Sequence, residues 1–187
     1  MERAAVPYFG VKAYGVHVCA FVRPGDGGEG GMKMWVARRS RDKPTWPGML
    51  DHLVAGGQPH GLSPGENVIK ECFEEAGVPE GLARRARPAG AVSYEQLQEA
   101  GLKRDVLFCY DLELPPDFVP TAVDGEVESF MLWDVERVKD AVAGTDDFKP
   151  NCNLVILDFL VRHGFIAPES DPEYLGLVQG LRSGSCS

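Results

Sequence analysis

The chain has 187 residues, 44% of them apolar, which suits one globular domain with a sizeable core. Its net charge of −9 argues against a nucleic-acid backbone as the main partner, because phosphate contacts need basic surface. No apolar run approaches the ~20 residues that span a membrane, and the opening residues carry no signal-peptide apolar core.

Residues 11–23 alternate and are rich in Val, Tyr and Phe, which predicts a strand. Residues 24–31 are mostly glycine and read as a turn into a returning strand at 32–39. No Gly-Lys-Ser/Thr follows those glycines, so a phosphate loop is disfavoured. A short strand at 50–55 leads into Gly56-Gly57. Further on, 89–96 and 105–114 form a strand pair around Gly101, and 126–133 is another strand. Helices are expected near 135–142, at 151–163 and at 172–181, followed by a loose tail at 182–187. With no repeat and no linker, residues 1–187 read as a single domain: an α/β sandwich with a mixed central sheet.

The most informative stretch lies between. Ser63-Pro64-Gly65-Glu66 fits a capping box, and Gly77 sits where a left-handed C-cap is wanted. The helix between them carries Val68, Ile69, Cys72, Phe73 and Ala76 as one apolar stripe. Glu71, Glu74 and Glu75 gather on another face within ~100°. Like charges so spaced repel by ~0.2–0.5 kcal/mol per pair, a cost that a cation between them removes.

Gly56, Lys70, Glu71, Cys72, Glu74, Glu75, Gly77 and Val78 together resemble the Nudix box, with Leu62 where the first glutamate belongs and Lys70 replacing Arg. Leu62 cannot bind a metal, and Lys70 lacks the planar fork of Arg. The resemblance implies a Nudix-type α/β/α sandwich. It extends to one subgroup, whose fungal members are fused to or associated with thiamine pyrophosphokinase, through 45–51, Ser93-Tyr94-Glu95-Gln96, 124–127 and 148–153. That subgroup implies hydrolysis of damaged thiamine diphosphate, such as the oxy form, to the monophosphate.

The expected reaction is therefore hydrolysis of a small-molecule diphosphate assisted by Mg2+ or Mn2+, hard cations that suit carboxylate oxygens. Glu71, Glu74 and Glu75 are the expected ligands. Glu126 is the candidate general base, with Glu128 second; its bland alternative is an exposed strand start. Arg39 either binds the diphosphate or is a solvated arginine. Trp46, Tyr94 and Gln96 either line a ring pocket or, for Trp46, pack in the core. Gly56 and Gly57 bring backbone to the substrate, and His60 either touches a ligand or, as is commoner, is an ordinary loop histidine. The rival readings are a pyrophosphatase for ADP-ribose or another nucleoside diphosphate, and a non-catalytic cofactor-binding module. Five cysteines without a Cys-x-x-Cys pair fit a reducing, cytoplasmic compartment.

Overall fold

The computed structural model describes residues 3–25, 30–99 and 101–184. A 3-10 helix, Arg3–Phe9, precedes β1 (Lys12–Val22), β2 (Lys33–Arg39), β3 (Leu50–Asp51) and β4 (Val54–Gly57). Helices α1 (Pro64–Ala76) and α2 (Glu80–Ala83) lead to β5 (Arg87–Gln98), β6 (Gly101–Glu113) and β7 (Val127–Asp134). Helices α3 (Val135–Gly144), α4 (Pro150–Arg162) and α5 (Tyr174–Gly180) follow.

Seven strands form one mixed sheet in the order β3-β2-β1-β6-β5, with β4 also paired to β1 and β7 to β2. Among the strand pairs of the described residues, β1 and β6 alone run parallel. The alternation of side chains along a strand divides β1 between two cores. Val16, Val18, Ala20 and Val22 join Val68, Cys72 and Ala76 of α1 on one face. Cys19 and Phe21 join Val135 and Val138 of α3 and Val155, Ile156 and Phe159 of α4 on the other. Helices on both faces make the expected α/β/α sandwich. Among the described residues, no helix is long and apolar enough to cross a membrane.

The ends of α1 follow from local chemistry. Ser63 Oγ accepts from the Glu66 amide at 3.3 Å while Glu66 Oε2 accepts from the Ser63 amide at 2.8 Å. Gly77 ends the helix with φ 61°, a conformation that favours glycine.

Four expectations need correction. The strand at 50–55 is two strands, because the chain turns at His52-Leu53 from β2 to β1 as its partner. Phe73 leaves the apolar stripe and is 59% exposed, whereas the polar Asn67 and Glu75 are buried. The core face of α1 has thus rotated toward β4. Glu126 precedes β7 and lies in a turn where its amide bonds Asp124 Oδ1 at 2.8 Å. The tail is fastened at 182–184: Ser93 Oγ donates to the Gly184 carbonyl (2.7 Å), and Arg182 reaches Asp158 (2.9 Å). Residues 185–187, and 26–29 of the glycine-rich turn, lie outside the described residues.

Candidate active site

Helix α1 lies along β4 in a fixed register. Asn67 Nδ2 donates to the Gly57 carbonyl at 3.0 Å. One turn on, Glu71 folds over Gly56, filling the place a β-carbon would take. A further turn on, Glu75 Oε2 accepts from the Ala55 amide at 3.3 Å. Steps of four along the helix thus match single steps back along the strand. Two glycines and an alanine let the helix approach this closely.

The three glutamates do not converge. Glu74 turns outward to Lys70 Nζ at 2.6 Å, and Lys70 also holds Glu71 at 3.3 Å. Glu74, followed by Glu71, raises the lysine's pKa. Glu71 and Glu75 are left facing β4. Leu62, in place of the first box glutamate, is 38% exposed, its carbonyl held by Gln58 Nε2 at 2.6 Å.

Glu75 is the most perturbed of the group. Burial, then the neighbouring Asp51, pushes its pKa well above the ordinary carboxylate value; the Ala55 N–H opposes this, and Glu71 and Glu126 add to it. Beside Glu75 lies a cavity of about 10 Å³ lined by Arg39, Asp51, Ala55, Glu75 and Glu126. That is space for one water-sized body. Glu75, Asp51 and Glu126 supply oxygen donors of the kind that suit a hard divalent ion, Arg39 adds a positive group to the same wall, and Glu71 lies one helical turn away over Gly56. Glu126 now pairs with Lys43 at 2.7 Å.

The remaining sequence candidates are placed differently. Arg39 lines the cavity, but its guanidinium donates to the carbonyls of Trp46 (3.1 Å) and Thr45 (3.0 Å) and to Asp51 (3.4 Å). Trp46, with a left-handed φ of 54°, is half exposed on the loop that Arg39 holds. Tyr94 donates to Asp105 (2.5 Å) and packs on the α4 core, and Gln96 lies on the exposed part of β5. His60 is exposed on the loop after β4.

Sequence reading missed a buried polar cluster beneath the site. Asp51 accepts from Cys152 Sγ at 2.6 Å and pairs with Lys149 and Arg39, each at 3.4 Å. Burial works to raise the Asp51 pKa, but Lys149, then His52, outweighs it and holds the carboxyl well below its usual range. His17 Nδ1 and His52 Nε2 share a hydrogen bond of 2.8 Å. Burial lowers the His52 pKa to about 4, so the ring is neutral at pH 7. His17, His52 and Cys152 bring nitrogen and sulfur atoms within 4.8 Å of one another. The one sequence signal is Asp51-His52, two polar residues inside an otherwise apolar run at 49–55.

The chain is 57% identical over its whole length to Nudix hydrolase 20, chloroplastic, of Arabidopsis thaliana, and 55% identical to Nudix hydrolase 24, chloroplastic, of the same plant. It spans about half the length of each, 49% and 50%. These relatives overturn the cytoplasmic expectation, since both are named as chloroplastic; reduced cysteines do not distinguish the two compartments. The fold resembles the NUDIX domain of Shewanella oneidensis NrtR, solved with ADP ribose, at TM-score 0.61 and 14% identity over 89% of this chain and 100% of that one. The family model of the NUDIX domain matches residues 13–152. With its capped helix, paired glutamates and mixed sheet, the chain belongs to the NUDIX domain family.

Proposed function

We propose that this domain hydrolyses a diphosphate linkage in a small molecule with Mg2+ or Mn2+. The observation that carries this reading is the placement of Glu71 and Glu75 against Gly56 and Ala55, with Glu126 across a cavity that has room for one ion. Glu71 and Glu75 hold the cation, and Glu74 stays with Lys70 as a supporting charge. When bound, the cation neutralises the phosphate oxygens and polarises phosphorus. Glu126 takes the proton of the attacking water, once the Lys43 pairing yields. Arg39 tethers the 45–46 backbone and Asp51, which keeps the cavity wall in place.

The substrate we favour is an oxidised or oxy form of thiamine diphosphate, cleaved to the monophosphate and phosphate. Three separated segments that carry the subgroup resemblance meet in the fold, which supports this reading. The Leu50 amide bonds the Asp147 carbonyl (2.8 Å), the Lys149 amide bonds the Leu50 carbonyl (2.9 Å), and Cys152 bonds Asp51. Tyr94 faces Asn151. The test is kcat/KM for oxythiamine diphosphate, thiamine diphosphate and ADP-ribose in one Mg2+ buffer. Preference for the oxy form is expected. ADP-ribose ahead by tenfold overturns the thiamine reading and leaves the hydrolase; no cleavage of any diphosphate overturns both.

A further inference from the structure

The cavity beside Glu75, about 10 Å³, has no room for the organic part of a diphosphate. A second space, a groove of about 570 Å³, opens where β1 begins and β4 ends. Its size is that of a small-molecule site. Tyr14 lies on the face of the sheet that Glu71 covers. Val16 lies opposite Gly56, the residue under Glu71, so the period of two puts Tyr14 next along that face. The Gln58 amide bonds the Tyr14 carbonyl at 2.8 Å, which brings Gln58 beside it. Gly57, which follows Gly56 and whose carbonyl accepts from Asn67 Nδ2 at 3.0 Å, lines the groove.

Tyr14 has the form of a stacking platform. Tyr14 is 42% exposed, and its ring lies nearly parallel to Phe108, 13° between planes and 6.0 Å between centroids. Phe108 packs against the α1 core and so fixes the tyrosine from behind. The far wall, Gln58 to His60, is tied by Gln58 Nε2 to the Leu62 carbonyl.

The geometry points to Tyr14 as a specificity-determining residue, the platform on which an aromatic ring carried by the diphosphate substrate stacks. This inference rests on the hydrolase reading for its substrate class, but not on thiamine. The ring enters the groove with one face on Tyr14, while the diphosphate end lies toward α1 and Glu71. Base-on-aromatic stacking of ~1–3 kcal/mol corresponds to roughly fivefold to 150-fold in binding.

The test uses Tyr14→Ala, Tyr14→Phe and Trp46→Ala. For each, kcat and KM are measured with thiamine diphosphate and ADP-ribose in Mg2+, and calorimetry gives the affinity for both at the same Mg2+ concentration. Tyr14→Ala is expected to raise KM and Kd about tenfold for the ring-bearing ligand that wild type prefers, with kcat within twofold. Tyr14→Phe is expected to restore both. Unchanged KM and Kd in Tyr14→Ala, or a tenfold rise in Trp46→Ala alone, overturns the proposal by putting the ring elsewhere. If wild type binds but cleaves nothing, the hydrolase reading fails while Kd still judges the groove. If wild type binds neither ligand, the groove proposal fails too. Equal melting temperatures exclude misfolding, which an exposed side chain should not cause.

Discussion

A β-carbon on residue 56 would sit 2.7 Å from Glu71 Oε1, so the glutamate keeps its place only while residue 56 is glycine. Gly56→Ala should therefore push the Glu71 side chain aside at little cost to the fold, because the displaced atoms end a flexible chain. Mn2+ affinity by calorimetry is expected to fall at least tenfold, with the melting temperature nearly unchanged. Undiminished Mn2+ binding would remove Glu71 from the metal site.

Glu71→Gln and Glu75→Gln should each lower kcat by about two orders of magnitude, since several kcal/mol of charge stabilisation depends on holding the ion. Their apo stabilities should diverge. Glu75 is buried among Asp51, Glu71 and Glu126, so its amide relieves repulsion while still accepting from Ala55. The metal-free melting temperature of Glu75→Gln is expected to equal or exceed that of wild type. Full activity in both variants would sink the site.

Asp51 compensates two buried or half-buried cations, Lys149 and Arg39. Truncating one member of such a group leaves charge uncompensated and typically costs about 3–5 kcal/mol. Asp51→Ala should lose stability of this order in urea unfolding, and Asp51→Ala with Lys149→Met should recover part of it. Simple additivity of the two substitutions would mean that the ion pair carries no coupling.

The His52 pKa falls from 6.5 to about 4 in the folded protein, so the folded state disfavours its protonation. A lowered pKa gives stability that is present above 6.5 and drains away as pH drops toward 4. At about pH 5 the loss from this one group is on the order of 2 kcal/mol. Melting temperatures from pH 7 to about pH 5 should fall more steeply for wild type than for His52→Gln. Parallel curves would contradict the assignment.

Where interactions are local, residue order alone was sufficient. Ser63, Glu66 and Gly77 delimit α1 because each cap bonds within four residues, and the period of two along residues 11–23 announces a strand between two layers. Long-range contacts were hidden. Cys152 meets Asp51 across 101 positions, and His17 meets His52 across 35. Neither spacing leaves a periodic trace. Phe73 misled for a related reason: helical phase put it in the stripe, but the seating of Glu71 on Gly56 turned α1 and left the ring in solvent. Arg39 lines the cavity, yet nothing in its neighbours foretold that its donors serve the 45–46 carbonyls.

Strand β5 is the last in its sheet, and such an outer strand offers unpaired amides and carbonyls to any passing chain. Residues 182–184 cover it at Ser93: the Ser93 amide bonds the Leu181 carbonyl, and the Gly184 amide returns to the Ser93 carbonyl, each at 3.0 Å. The segment that looked expendable thus acts as a guard against edge-to-edge association. Cutting the protein back to residue 181 would leave the Ser93 carbonyl on that edge open to another chain while leaving every catalytic candidate intact.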